Sequence, residues 1–165
     1  MGVQISVSFT PAIAIPGMVR GAAAERTRAA AVVMQNGLFV CIGAADEKCK
    51  LPTASTDITG RLGLGIARDN VARDPNFPPG GTAGFTYQVG DSVAIAYRGE
   101  IAVTVEEAVA PGDPVYVRYA TGTGSQKGAF RASADSSTAA LLPGARYLTT
   151  ASADGIAIVD LNMPQ

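Results

Sequence analysis

Cys41 and Cys49 are the only thiols of this sequence, eight residues apart in NGLFVCIGAADEKCK, and the chain has no histidine. A zinc site built on two cysteines needs further nitrogen or sulfur ligands, which are absent. A cysteine nucleophile needs a base or another group to activate it, and the usual base is missing. Cys41 lies inside an apolar run and reads as a small core hydrophobe. Cys49 lies among charges and reads as a loop thiol, and both read as free thiols made in a reducing cytoplasm. Glu106 and Glu107 form the one acidic pair in a strand-like run. Neighbouring strand residues point to opposite faces, so the pair makes no carboxylate dyad and reads as a solvated strand end.

Two glycine clusters call for a similar test. Gly60, Gly63 and Gly65 carry the spacing of a dinucleotide fingerprint in reverse, with no helix pattern after them. Gly122, Gly124, Lys127 and Gly128 resemble a phosphate loop but lack its Gly-Lys-Ser/Thr ending and lead into a β-like run. Both read as turns. Arg98-Gly99-Glu100 resembles an integrin-type tripeptide with Glu where Asp is needed. The residues define no catalytic, cofactor-binding or metal site, and no enzyme is expected.

Composition points toward a partner. Hydrophobic residues make up 47% of the 165 and charged residues 16%, where soluble domains carry roughly a quarter charged. A surface so poor in charge suits a protein that works against another surface. The net charge of −1 leaves no electrostatic footprint for nucleic acid, although Arg20, Arg26 and Arg28 cluster locally. No apolar run is long enough to cross a membrane as a helix, and the start, MGVQISVSFTP, lacks the basic and apolar regions of a signal peptide.

The elements organise around residues 90–119. Val93, Ile95 and Tyr97, then Ile101, Val103 and Val105, then Val115, Val117 and Tyr119 alternate with other residues, as strands do. Gly99 and Pro111-Gly112-Asp113 mark turns between these runs. Gly-Asp-x-Val opens at Gly90 and recurs at Gly112. Upstream, residues 1–20 read as an extended N-terminal arm, because Pro11 and Pro16 exclude a helix interior and a central strand. Its apolar residues should lie on something. Residues 21–34 have helix propensity without a helical stripe, so helix and extended segment both stay open. Leu38–Ile42 reads as a strand, 43–60 as a polar loop, and Arg61–Ala67 as a strand with Leu62, Leu64 and Ile66 on one face. Residues 68–84 form the long loop, with three prolines in it, and loops of this length are usually functional or disordered. Ala129–Ala132 reads as a short edge strand. Arg146–Ala151 and Ile156–Leu161 read as the last two strands, joined at Asp154-Gly155. The fold class is all-β: a single compact antiparallel barrel or sandwich, jelly-roll-like, over 21–165, with the extended arm before it. The rival reading of such a fold is a stand-alone β-barrel binding module for a small molecule or carbohydrate. That reading needs a concave site lined with aromatics, and the chain has five Tyr, five Phe and no Trp.

The order of these pieces resembles the capsid cement (decoration) proteins of tailed bacteriophages. The likeness is carried by Pro16-Gly17-Met18-Val19, Asn36-Gly37-Leu38-Phe39-Val40, Gly63-Leu64-Gly65-Ile66-Ala67, Tyr87-Gln88-Val89-Gly90-Asp91-Ser92-Val93 and Gly99-Glu100-Ile101-Ala102-Val103. Pro111-Gly112-Asp113-Pro114-Val115-Tyr116-Val117, Leu142-Pro143-Gly144-Ala145-Arg146-Tyr147 and Gly155-Ile156-Ala157-Ile158-Val159 complete it. The resemblance implies a non-enzymatic virion protein, made in the host bacterial cytoplasm and bound outside the major capsid shell at capsomer junctions. It implies a homo-oligomer, a trimer before a dimer, with the major capsid protein as partner, no cofactor, no nucleic acid and no membrane. The residues expected to touch the shell or a neighbouring subunit are Val3, Ile5, Val7, Phe9, Ile13, Ile15, Met18 and Arg20 of the arm, and Phe77 of the long loop.

Overall fold

The computed structural model describes residues 16–45, 47–60, 62–68, 86–121 and 126–163. Val3, Ile5, Val7, Phe9, Ile13, Ile15 and Phe77 therefore lie outside the described residues, with nearly all of the expected loop 68–84. The elements in chain order are β1 (Val19–Ala30), β2 (Met34–Gln35), β3 (Phe39–Ile42), β4 (Lys48–Lys50), α1 (Thr56–Thr59), β5 (Gly63–Ala67), β6 (Thr86–Tyr87), β7 (Ser92–Thr104), β8 (Pro114–Arg118), β9 (Phe130–Arg131), β10 (Ala139–Tyr147) and β11 (Ile156–Asn162). The described residues are all-β apart from one helical turn, as the alternating sequence predicts.

Nine strands form one sheet in the order β1-β4-β3-β5-β7-β11-β10-β8-β9, and β1 pairs a second time with β7. That second pairing closes β1, β4, β3, β5 and β7 into a first ring. β7, β11, β10, β8 and β9 make a second ring, closed where Val105 bridges to Phe130. β7 belongs to both. Each ring holds its own core. Ala30, Met34, Val40, Cys49, Leu64, Ala67, Tyr87, Val93 and Ile95 pack together in the first. Ile101, Val103, Val115, Val117, Phe130, Leu142, Tyr147, Val159 and Leu161 pack in the second, with Phe39, Ile58, Ile66 and Ala96 reaching it from the first ring's outer side. A fully buried Ile, Leu or Phe contributes about 1.5–3 kcal/mol, so these apolar sets dominate the fold's stability.

The structure settles one local reading left open by the sequence and changes two others. Residues 21–34 are extended over most of their length, because β1 pairs with β7 from Val19 to Ala29 and tertiary pairing overrides helix propensity. Gly99 is not a turn: β7 runs unbroken from Ser92 to Thr104. The apolar phase changes there, with Ala96 reaching the second core from the even-numbered face and Ile101 and Val103 from the odd. Gly99 adopts φ +121, and a Cβ on it would lie 3.0 Å from the Ala22 carbonyl oxygen, so glycine lets β1 cross close at this point. Leu64 and Ile66 serve different cores, because the β3–β5 register slips between Val40 and Cys41 and leaves Leu64 as an extra residue; Leu62 is exposed.

The expected polar loop 43–60 also contains β4 and α1. Cys49 is a fully buried strand residue rather than a loop thiol. It pairs with Ile42, while Cys41 pairs with Lys50, so the two thiols take opposite faces and both are free. The Asp57 carboxylate holds the α1 turn, accepting from the Thr53 N–H at 2.8 Å and its hydroxyl at 3.0 Å. Burial pushes the Asp57 carboxyl up, but these hydrogen bonds and the Lys50 ammonium outweigh it and hold the group below its ordinary range.

Candidate docking surface

The chemical readings of the cysteines end with burial. Desolvation pushes the Cys41 thiol up to about 12 and the Cys49 thiol up to about 11, so neither is a thiolate at neutral pH. Among the described residues no group of three or more acidic or cysteine side chains could hold a metal ion. Four of the described aromatics go into the cores: Tyr87, Tyr147, Phe39 and Phe130 are fully buried. The Tyr87 hydroxyl donates to the Arg68 carbonyl at 2.7 Å and that of Tyr147 to the Arg131 carbonyl at 3.1 Å. What the described surface offers is contact, at three places.

The first is the root of the arm. The Gly17 N–H donates to the Ala102 carbonyl at 2.7 Å and the Ala102 N–H to the Met18 carbonyl at 2.9 Å. The side-chain amide of buried Asn36 donates to the Pro16 carbonyl. Gly37 follows, and a Cβ there would meet Pro16 Cβ at 2.5 Å, so the Asn36-Gly37 pair seats Pro16 closely. The last residues of the expected arm thus lie on the protein's own β7. Met18 is half-buried, and Arg20 is exposed and stands opposite Glu100 in the ladder.

The second is the outer edge of β1. On the side away from β7, β4 pairs only with Ala29 and Ala30, and no other described strand runs along β1. Arg26 is held there with its guanidinium 4.4 Å above the Tyr97 ring, and Glu25 pairs with Arg68 at 2.9 Å. The third place is an apolar tip of the first ring, where Val32, Val33 and Val89 are exposed. They lie together because the Gly90 N–H donates to the Ala30 carbonyl and the Ala30 N–H to the Asp91 carbonyl.

A charged cluster, unread in the sequence, seals the second ring. Arg118 Nε donates to both oxygens of Glu106 at 2.9 and 2.8 Å, and Nη2 to Asp135 at 2.7 Å. Arg131 reaches Glu106 at 3.3 Å, Glu107 at 3.1 Å and Asp135 at 2.8 Å. Glu106 and Glu107 are therefore not a solvated strand end. They point different ways from the end of β7 and meet at Arg131, which lies across both. Asp135, Ser136 and Ser137 sit in the left-handed region, at φ +44, +53 and +67. That conformation costs roughly 1–2 kcal/mol per residue and persists where surroundings over-determine it. Here Arg118, Arg131 and Thr138 all hold the Asp135 carboxylate, and the Tyr119 hydroxyl donates to the Ser137 carbonyl. The sequence signal for this cluster is two arginines at the ends of strands β8 and β9, each out of phase with the apolar set.

The described residues build an all-β body of two closed rings that share β7. Residues 3–162 match the family model described as "Structural cement protein (E217 gp24/Pam3 gp6)". The chain belongs to this phage structural cement protein family. No curated protein matches it in sequence. A solved structure titled "The capsid of Myoviridae Phage XM1" contains a chain of the same fold, with a TM-score of 0.63 at 19% identity, covering 94% of this chain and 98% of that one.

Proposed function

We propose that this protein binds the outside of a tailed-phage capsid shell at capsomer junctions and stabilises the head without catalysis. It acts as a homo-oligomer, a trimer in preference to a dimer, and is made in the host cytoplasm before joining the virion. The match of residues 3–162 to a structural cement family carries this reading. The architecture is consistent with it. Two closed rings give a stiff body, and a chain segment free of charged side chains, residues 1–15, precedes a firmly seated Pro16. Val3, Ile5, Val7, Phe9, Ile13 and Ile15 of that segment, with Met18, Arg20 and Phe77, are the proposed contacts to the shell or to a neighbouring subunit; strand addition is the mode that suits the segment. Several weak contacts tethered on one rigid oligomer reinforce one another by factors of order 10² to 10⁴. Nucleic acid and membrane have no part in this role, and no helix among the described residues is long and apolar enough to cross a membrane. The test is to strip or omit the protein from particles, add it back, and compare heat resistance. Added-back particles should survive higher temperature. Equal resistance in both samples removes the cement reading.

A further inference from the structure

We infer that Asn36-Gly37 is a site of spontaneous deamidation gated by the seat of Pro16, and that its conversion unseats Pro16 irreversibly. Neither event depends on the cement reading above. Of the chain's four asparagines only Asn36 precedes glycine; Asn70, Asn76 and Asn162 precede Val71, Phe77 and Met163. Asparagine is a thermolabile residue, and a following glycine, having no Cβ, lets the next peptide nitrogen approach the side-chain carbon closely. The Gly37 nitrogen attacks Asn36 Cγ. The N–Cγ bond forms, the Cγ–Nδ2 bond breaks, and the Gly37 proton, passed through solvent, leaves with Nδ2 as ammonia. The ring so formed takes up one water, which opens it at Cγ to give isoaspartate's isomer Asp, or at the residue-36 carbonyl carbon to give isoaspartate.

The fold withholds each requirement of that reaction. The Gly37 N–H donates to the Ala67 carbonyl at 2.7 Å, so the attacking nitrogen is engaged and keeps its proton. Asn36 Nδ2, the leaving group, donates to the Pro16 carbonyl. Both residues are buried, which keeps out the water that carries the proton and opens the ring. Pro16 is the cover, its Cβ 2.5 Å from where a Cβ on Gly37 would stand. The cover is lightly held. Before β1 begins, two bonds at Ala102 tie it to β7, from the Gly17 N–H and to the Met18 carbonyl, and the ends of elements open more readily than their centres. When this root lifts, Asn36 loses the Pro16 carbonyl and water reaches the pair. The product cannot be covered again. Where Nδ2 donated, Asp at neutral pH sets a carboxylate oxygen against the Pro16 carbonyl, two acceptors in a buried place. Isoaspartate also adds a carbon to the main chain and shifts Gly37 from Ala67. Release and reaction therefore run one way.

Ageing the full-length protein in warm, mildly alkaline buffer, with peptide mapping by mass spectrometry, reads the rate at Asn36. Native protein should convert at least tenfold more slowly than protein in denaturant, because reaction waits on opening. Gly17→Pro removes the N–H that binds Ala102, and proline cannot adopt the φ of +81 found there. It should speed conversion about tenfold, as expected for one main-chain hydrogen bond, with the rate at Asn162 in the same digest unchanged. Asn36→Asp, the product itself, should keep β11 protected from hydrogen exchange while the Gly17 and Ala102 amides exchange at least tenfold faster. Native protein aged to partial conversion gives the same reading without relying on that variant's folding. Equal rates in native and denatured protein, or an unchanged rate in Gly17→Pro, would overturn the gate. Unchanged Gly17 and Ala102 exchange in the converted protein would overturn the irreversible unseating.

Discussion

The first ring closes with hydrogen bonds and an apolar interior, through a two-residue parallel pairing of β1 with β4, beyond which no described strand meets that side of β1. The second ring closes with even less backbone, a single bridge from Val105 to Phe130, and adds two arginines and three carboxylates across that seam. The contrast suggests why the rings differ in use. A seam clamped by paired charges presents no free ladder, so the second ring is a finished object. In the first ring the outer side of β1 meets no described strand except β4 at Ala29 and Ala30.

The largest effect should come from striking β7, the strand both rings share. A Cβ on Gly65 would lie 2.1 Å from the Ala96 carbonyl oxygen of β7, so Gly65→Ala must push β5 from β7. We expect a loss of about 4 kcal/mol, or a fall in Tm of roughly 8–16 °C for a chain of this size, with both rings lost in one calorimetric transition. Two separated transitions would break the idea of a common frame. Next is Arg118→Met, which strips Glu106 and Asp135 of one of the two arginines they share. Orphaning a buried ion-pair partner costs about 3–5 kcal/mol, but Asp135 is 42% exposed and Arg131 still reaches both carboxylates, which places this variant near 2–3 kcal/mol. Chemical denaturation should show it, and pairing the change with Glu106→Gln should recover much of the loss.

Acid should act on the same half. Arg118 and Thr138 hold the Asp135 carboxyl below its ordinary range. Burial pushes Glu107 up, but Ser133, the Ala132 N–H and Arg131 outweigh it and hold it below. The folded chain therefore binds these protons more weakly than the unfolded chain does. Their stabilisation is complete above the ordinary carboxylate range near pH 4 and is lost as pH falls through and below it. Tm should drop across that window. Glu107→Gln with Asp135→Asn should flatten the drop without abolishing it, because Asp57 is held low as well. The smallest effect sharpens the contrast. Thiol labelling should be absent in the native protein, since Cys41 and Cys49 are buried in the first ring's strands. It should stay slow in Arg118→Met at moderate denaturant if the second ring loosens first.

How much of this the sequence discloses depends on whether one residue type has one structural use. The repeated Gly-Asp is legible because its physics is local. Gly90 and Gly112 adopt φ +91 and +90. The Asp91 and Asp113 carboxylates accept from the Gln88 and Ala110 N–H groups, both at 2.8 Å. Gly99 is not legible, since a glycine at a change of apolar phase looks the same whether the chain reverses or a long strand shifts its faces past a crossing neighbour. β1 is opaque for a related reason: alanine favours a helix alone, and only pairing with β7, more than sixty residues away in the sequence, makes it a strand. Of the expected contact residues, Met18 and Arg20 fall at the arm's root and on the open β1 edge. The Arg118–Arg131 cluster joins side chains from four separate segments, a juxtaposition that no spacing along the chain announces.

The seating of Pro16 has a mechanical side. The bonds that fix the chain there, from Gly17 and Met18 to Ala102 and onward along the β1–β7 ladder, run across the strands, as antiparallel bonds do. Tension arriving at Pro16 along the axis of β1 therefore loads those bonds side by side in shear, and none can yield until its neighbours do. The strand that receives this load is also anchored to β11 on its far side. A tug on the N-terminal segment is thereby spread through the middle of the molecule rather than peeled from its rim.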